Sequence, residues 1–197
     1  MKKKYVLFLL TLFTITGWAQ KTNSLNNQGP LQPFNDQVEN HPDFEQNNLE
    51  GWTSLDVDEF DTAGSFHDFP GKGGPLGFIV YTPSQTDPAN DFEEFVPHSG
   101  KKYFASVSSY DGPVNDWLIS NEMDVHPGGT LSFYARSSFA FGDTDKFNVG
   151  YSTTSANPED FLLFNNGNPI LVLEPGRAIV DECMQLISKI VSKKTTM

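Results

Sequence analysis

The chain has 197 residues, of which 25 are Asp or Glu and 13 are Lys or Arg, so its formal net charge is −12. This length predicts a single domain, and the 17 Phe residues supply ample apolar volume for its core. The negative charge argues against nucleic acid and anionic membrane surfaces as partners, because both attract Lys and Arg.

A secretory signal peptide is predicted over residues 1–19. Three consecutive lysines precede an apolar stretch over residues 5–15, and Gly17 and Ala19 are the small side chains expected before a cleavage site. We expect cleavage before Gln20, a secreted or cell-surface location and no membrane association afterwards. Loss of the three lysines takes the formal net charge from −12 to −15. A retained membrane anchor is the alternative, although a bilayer span needs about 20 apolar residues.

The next part of the chain alternates between short apolar segments and turn-forming segments. Residues 20–40 are rich in Asn and Gln and predict a flexible lead-in. Residues 56–74 hold five Asp or Glu, four Gly and Pro70, and they predict a long loop. Residues 84–94 are predicted to form a second loop. Strands are predicted between these segments, near residues 43–45, 77–81 and 101–106.

The clearest strand signal lies over residues 131–136 and 147–152. In the first segment Leu131, Phe133 and Ala135 fall on one face, and the second segment shows the same alternation. Side chains of a strand point to opposite faces with period two, so both segments predict half-buried antiparallel strands. Short strands at this spacing favour an all-β sandwich over alternating strands and helices.

Several short motifs, in this order and spacing, resemble the cleaved-adhesin, or choice-of-anchor J, type of module found in secreted bacterial proteins. The motifs are Phe44-Glu45, Gly51-Trp52-Thr53, His98-Ser99-Gly100, Asn115–Ser120, Ser132–Ser137 and Gly150–Thr154. The resemblance covers residues 41–168. It implies an antiparallel jelly-roll β-sandwich, structural calcium, and a role in adhesion or substrate binding. Such modules continue through two or three further strands that this sequence lacks, so we expect a partial module.

Residues 169–197 differ in character from the rest of the chain. Residues 169–173 predict a strand, and residues 174–177 predict a turn. Between residues 178 and 191 apolar side chains recur at spacings of three and four, which predicts a short C-terminal helix. The single cysteine, Cys183, lies on the apolar face of that helix, where packing is expected.

Residues 169–190 also resemble a segment of pyridoxal-phosphate-dependent decarboxylases of the alanine-racemase-like type. In that segment the Gly and Arg of a Glu-Pro-Gly-Arg sequence lie at the cofactor phosphate, and Gly176 and Arg177 match them here. The other parts of such an enzyme have no counterpart in the chain, so we expect no bound pyridoxal phosphate. Two interpretations stay open: a junction near residues 165–169 from a fusion or frameshift, or a divergent native C-terminus.

Acidic side chains are the candidate metal ligands. Calcium takes six to eight oxygen ligands, which carboxylates supply, and calcium itself is implied by the resemblance. Asp56 and Asp58 lie two residues apart in a predicted loop, so both can direct oxygens toward one ion. The alternative is a solvated acidic loop. The predicted ligand set is Glu45, Asp56, Asp58 and Asp116, with Asp61, Asp143 and Asp145 as weaker candidates.

No sequence pattern indicates catalysis. The four histidines have neither HxH nor HExxH spacing, and there is no GxSxG motif. Tyr110 lies in a predicted loop and is the candidate for stacking on a sugar ring, whereas Trp52 and Trp117 are expected in the core. We therefore predict a non-catalytic binding module for an extracellular glycan or protein, of undefined oligomeric state. The alternatives are a truncated accessory domain of a larger secreted protease or glycosidase, a decarboxylase remnant, and a fusion fragment without its own function.

Overall fold

The computed structural model describes only part of the chain, and that part is mainly β. The turn at residues 174–177, most of the predicted lead-in, His126 and Asp143 lie outside the described residues. The described residues are 5–10, 16–17, 38–46, 49, 51–65, 67–122, 131–136, 145–168, 171–173 and 180–184.

Eleven strands and five single-turn 3-10 helices account for the regular structure of the described residues. The strands are β1 (Tyr5–Leu10), β2 (Thr16–Gly17), β3 (Trp52–Asp56), β4 (Ile79–Tyr81), β5 (Tyr103–Ala105), β6 (Asp116–Ser120), β7 (Leu131–Ala135), β8 (Asp145–Ser152), β9 (Leu162–Leu163), β10 (Leu171–Leu173) and β11 (Val180–Met184). The 3-10 helices are Val38–Asn40, Pro83–Gln85, Glu93–Phe95, Pro158–Asp160 and Phe164–Gly167.

The largest sheet has six strands, with β10, β8, β1, β6 and β3 in spatial order and β9 also paired with β8. Its described pairings are antiparallel. Every residue of β6 is buried, so both faces of this strand are covered. This explains why Trp117-Leu118-Ile119 form a continuous apolar run instead of an alternating one.

Two smaller sheets contact the large one. β11, β7 and β2 form a three-stranded sheet, and β4 pairs with β5. Phe133 of β7 meets Phe147 of β8 edge to face, with ring centroids 5.4 Å apart. Phe104 of β5 lies 5.6 Å from Trp52 of β3, again between ring centroids. One aromatic contact therefore joins each small sheet to the large sheet.

A second core region lies around β4 and β5. Tyr81 is its centre, with Phe44 and Phe69 packed edge-on at centroid distances of 5.8 Å and 5.6 Å. Tyr103 lies 5.4 Å from the same ring. Aromatic side chains therefore provide the core that the composition predicted.

The predicted C-terminal helix is wrong over residues 180–184. These residues form β11, which pairs antiparallel with β7 from Val180 opposite Ala135 to Met184 opposite Leu131. An apolar spacing of three and four is only a local signal. The edge of β7 offers a row of backbone N–H and C=O groups, and pairing with it satisfies the backbone of residues 180–184.

The strand predicted near residues 43–45 is also absent from the structure. Phe44 has a φ of 58°, which is the left-handed region and incompatible with an extended strand. The segment still contacts the sheet, because Phe44 N–H donates to Val80 O over 2.8 Å and Val80 N–H donates to Glu45 O over 3.0 Å. The predictions near residues 77–81, 101–106, 131–136, 147–152 and 169–173 are confirmed by β4, β5, β7, β8 and β10.

β1 lies within the predicted signal peptide and occupies a central position in the six-stranded sheet. Signal-peptide cleavage stays a prediction. Within the described ranges, no helix combines the length and apolar character required to cross a bilayer.

Candidate metal centre

Three carboxylates meet where β3 ends and β6 begins. Asp56 is the last residue of β3, Asp116 is the first of β6, and the two are directly opposite in the antiparallel pairing. Asp58 follows two residues after Asp56 in the loop. One oxygen from each carboxylate lies within 4.8 Å of the other two, which is close enough for one cation to contact all three.

Backbone hydrogen bonds hold the loop after β3 in this position. Asp56 Oδ1 accepts the N–H of Glu59 over 2.7 Å, and Asp58 Oδ1 accepts the N–H of Phe60 over 3.0 Å. These short-range bonds are typical of Asp in turns. They allow Glu59 to adopt the left-handed conformation, with a φ of 54°.

The residue before β6 connects this loop to the sheet. Asn115 N–H donates to Asp58 Oδ2, and Asn115 O accepts the N–H of Val57 over 3.2 Å. The Asn115 side chain also accepts a hydrogen bond from Trp117 Nε1 over 2.8 Å. Asp58 is therefore oriented by the strand that carries Asp116, although 58 positions separate the two residues in sequence.

Asp116 is the buried member of the group, with 1% of its surface exposed. Burial raises the pKa of its carboxyl to about 8, and the nearby charges of Asp56 and Asp58 add to the increase. The hydroxyl of Ser106 donates to Asp116 Oδ2, and this hydrogen bond opposes the increase in pKa. Without a cation, Asp116 is therefore mainly protonated at neutral pH.

Burial also raises the pKa of Asp56, against the effect of the hydrogen bond from Glu59, while the charges of Asp58 and Glu59 raise it further. Among the described residues, no Lys or Arg contributes to the pKa shifts of Asp56 or Asp116. The carboxylates of the group therefore repel one another when ionised, and a bound cation would remove that repulsion.

A glycine permits the close approach of β4 to this part of the sheet. A Cβ atom on Gly77 would lie 2.6 Å from Ser54 Oγ and 3.1 Å from the backbone nitrogen of Asp56. A larger residue would therefore crowd Ser54 and the end of β3, and either the side chain of Ser54 or the segment before β4 would have to shift. No sequence pattern identified Gly77 as part of this site.

The chemistry of the group fits a hard cation such as calcium. Its members are carboxylates, and zinc would favour His or Cys ligands. Asp56, Asp58 and Asp116 are the residues that would hold the ion. One oxygen from each gives three ligands, fewer than the six to eight that calcium takes, so second carboxylate oxygens, backbone carbonyls or water would complete its shell.

The other predicted site residues lie apart from this group. Glu45 is not among the clustered carboxylates, and its Oε1 accepts the N–H of Gln46 over 2.9 Å. Asp61 forms an isolated bridge with Pro75. Only three of the four predicted ligands are therefore brought together.

The exposure of the three aromatic candidates largely agrees with the sequence-based prediction. Tyr110 is 86% exposed, whereas Trp117 is buried and packs edge-on against Phe161 at a centroid distance of 5.7 Å. Trp52 is half-buried against Phe104. The exposed position of Tyr110 is confirmed, and its role in ligand binding stays a prediction.

Ser106 was missed as the hydrogen-bonding partner of Asp116. It follows β5 in a segment that reads as ordinary strand, and its position beside β6 depends on how β5 packs on the large sheet. No spacing rule connects the two residues.

Comparisons with known proteins give no match: no family model, no curated protein and no solved structure is similar to this chain.

Proposed function

We propose that the chain is a secreted or cell-surface, non-catalytic binding module of the cleaved-adhesin type, stabilised by calcium. The observation that carries the proposal is the convergence of Asp56, Asp58 and Asp116, whose carboxylate oxygens lie within 4.8 Å of one another. The jelly-roll arrangement belongs to the same proposal. It is supported by the contacts of the small sheets with the large one through Phe133–Phe147 and Trp52–Phe104.

Calcium at this position would act mainly on stability. It would join the end of β3, the loop that follows it and the start of β6, and it would neutralise carboxylates that otherwise repel each other. A ligand that binds only the folded state stabilises that state in proportion to the logarithm of its concentration over its dissociation constant. The expected effect is a melting temperature that rises with calcium concentration.

Titration calorimetry and thermal unfolding of the chain, with calcium and with a chelator, test the metal site. The Asp56→Asn variant should lose the heat of binding and the calcium-dependent increase in melting temperature. The matched control is Asp61→Asn, which removes the same charge from an exposed position in the same loop. If both variants respond to calcium like the parent chain, or if the parent does not respond, the proposed metal site is incorrect.

The binding partner we propose is an extracellular glycan or protein. Support comes from Tyr110, whose ring is 86% exposed in a loop where it is free to stack on a sugar. A glycan and matrix-protein array tests this role. Tyr110→Ala should lose the signal and Phe92→Ala, which truncates another exposed aromatic ring (55%), should retain it. A blank array with the parent chain would contradict adhesion.

A further inference from the structure

β1 is the strand that joins β6 to β8. Residues Leu7 to Leu10 pair with β6, from Ile119 opposite Leu7 to Asp116 opposite Leu10. On its other edge, residues Tyr5 to Leu9 pair with β8. Both pairings are antiparallel, so β6 and β8 run in the same direction. In the sheet order they are neighbours of β1 and not of each other.

The position between β6 and β8 requires an apolar strand. Leu118 of β6 and Val149 of β8 are both 0% exposed, and both lie opposite Phe8 in the pairing. Ile119, on the opposite face of β6, is also buried. Because both faces are covered here, a strand in this position cannot place alternate residues in water. The sequence YVLFLL meets this requirement with six consecutive apolar residues.

Signal-peptide cleavage would remove this strand. The inference therefore rests on the proposed secretion, because β1 lies within residues 1–19. After cleavage, β6 and β8 would each present an edge of unpaired N–H and C=O groups toward the vacated position. Sheet edges of this kind bind extended peptides, with main-chain hydrogen bonds providing affinity and side-chain pockets providing selectivity.

We propose that the position between β6 and β8 is a strand-acceptor site. In the processed chain it binds an extended, continuously apolar segment of another polypeptide, antiparallel to both strands. In the unprocessed chain the leader itself occupies the site. The partner segment has five or six residues without charge or proline, because a charged side chain would be buried and a proline would remove a ladder hydrogen bond.

The test begins with the full chain, so that folding takes place with β1 present. A protease recognition sequence is introduced between residues 20 and 30, the folded protein is cut, and retention of the leader is measured by native mass spectrometry. A fluorescent peptide of residues 2–10 is then added in excess to the cut chain and to the uncut chain. The three native lysines of this peptide keep it soluble.

The proposal predicts that the leader, now a separate polypeptide, is retained by the cut chain or is replaced by the labelled peptide with saturable 1:1 stoichiometry. The uncut chain should bind at least about tenfold less of the labelled peptide, because its tethered strand competes at high effective concentration. A peptide carrying Phe8→Pro should bind at least about tenfold more weakly than the native peptide. A scrambled peptide of the same apolar residues should bind, since chemistry rather than sequence defines the partner.

Release of the leader without binding of the labelled peptide would overturn the proposal. Equal binding of the native and Phe8→Pro peptides would also overturn it, since that would be non-specific adsorption to apolar surface. Calcium binding and glycan binding are measured on the uncut chain. A failure of strand binding is therefore distinguishable from a failure of the proposed function.

Discussion

Asp56 and Asp116 lie directly opposite each other on β3 and β6, so two carboxylates leave adjacent strands at the same register position. Like charges directly opposite across a sheet are destabilising. The structure contains this pair beside a third carboxylate, Asp58. The repulsion between these carboxylates is reduced when Asp116 is protonated or when a cation binds.

The stability of the cation-free chain should depend on pH through Asp116. Its pKa is raised from 3.8 to about 8 on folding, so the folded state holds a proton that the unfolded state has lost. The resulting stabilisation is fully present below about pH 4 and decreases as the pH rises to about 8. Denaturant unfolding in chelator at pH 5, 7 and 9 should show this decrease. Asp116→Asn should reduce the slope and Asp61→Asn should not; an unchanged slope in Asp116→Asn would contradict the assignment.

Calcium binding should release a proton. Asp116 must lose its proton before its carboxylate can bind the ion, so affinity should increase by up to about tenfold per pH unit below the pKa of about 8. Calorimetry at pH 6.5 in two buffers of different ionisation enthalpy measures the number of protons released, which we expect to be close to one. Identical heats in both buffers would show that binding releases no proton, which contradicts a protonated Asp116 that becomes a ligand.

Ser106→Ala should destabilise the chain at alkaline pH. The variant removes the hydrogen bond to the buried Asp116 carboxylate, and an unsatisfied buried group costs about 1–3 kcal/mol. The pKa of Asp116 should rise further, because this hydrogen bond lowers it. The measurement is the free energy of unfolding of Ser106→Ala at pH 9. The control is Ser109→Ala, because the Ser109 hydroxyl donates to an exposed backbone carbonyl. Equal losses in the two variants would contradict a specific role for Ser106.

Gly77→Ala should disturb both stability and calcium binding. The added Cβ would lie 2.6 Å from Ser54 Oγ and 3.1 Å from the backbone nitrogen of Asp56, and overpacking of this kind costs about 1–3 kcal/mol. The matched control is Gly64→Ala, where a Cβ meets no atom within 4 Å. Chemical unfolding and calcium titration of both variants provide the comparison. A Gly77→Ala chain with the properties of the control would show that this close approach does not form.

The alternation over residues 131–136 and 147–152 predicted two strands that the structure contains. The apolar run at residues 77–81 likewise predicted β4. The spacing of Asp56 and Asp58 predicted that their carboxylates lie close together, and hydrogen bonds within the loop hold both side chains in place. These features were predictable because each depends on neighbouring residues in the chain.

The mainly β character, five of the eleven described strands and two members of the acidic group, Asp56 and Asp58, could be inferred from the residue pattern alone. Four relationships depend on the folded chain and could not be inferred from the residue pattern. Asp116 lies opposite Asp56, and Ser106 donates a hydrogen bond to Asp116. Residues 180–184 pair with β7, and Tyr5–Leu10 lie between β6 and β8. The alternation of apolar and polar residues along a strand indicates which of its faces is buried, but it does not indicate which strand lies beside it. Strand pairing depends on backbone groups that are identical at nearly every residue, so the partner is selected by packing of the whole sheet.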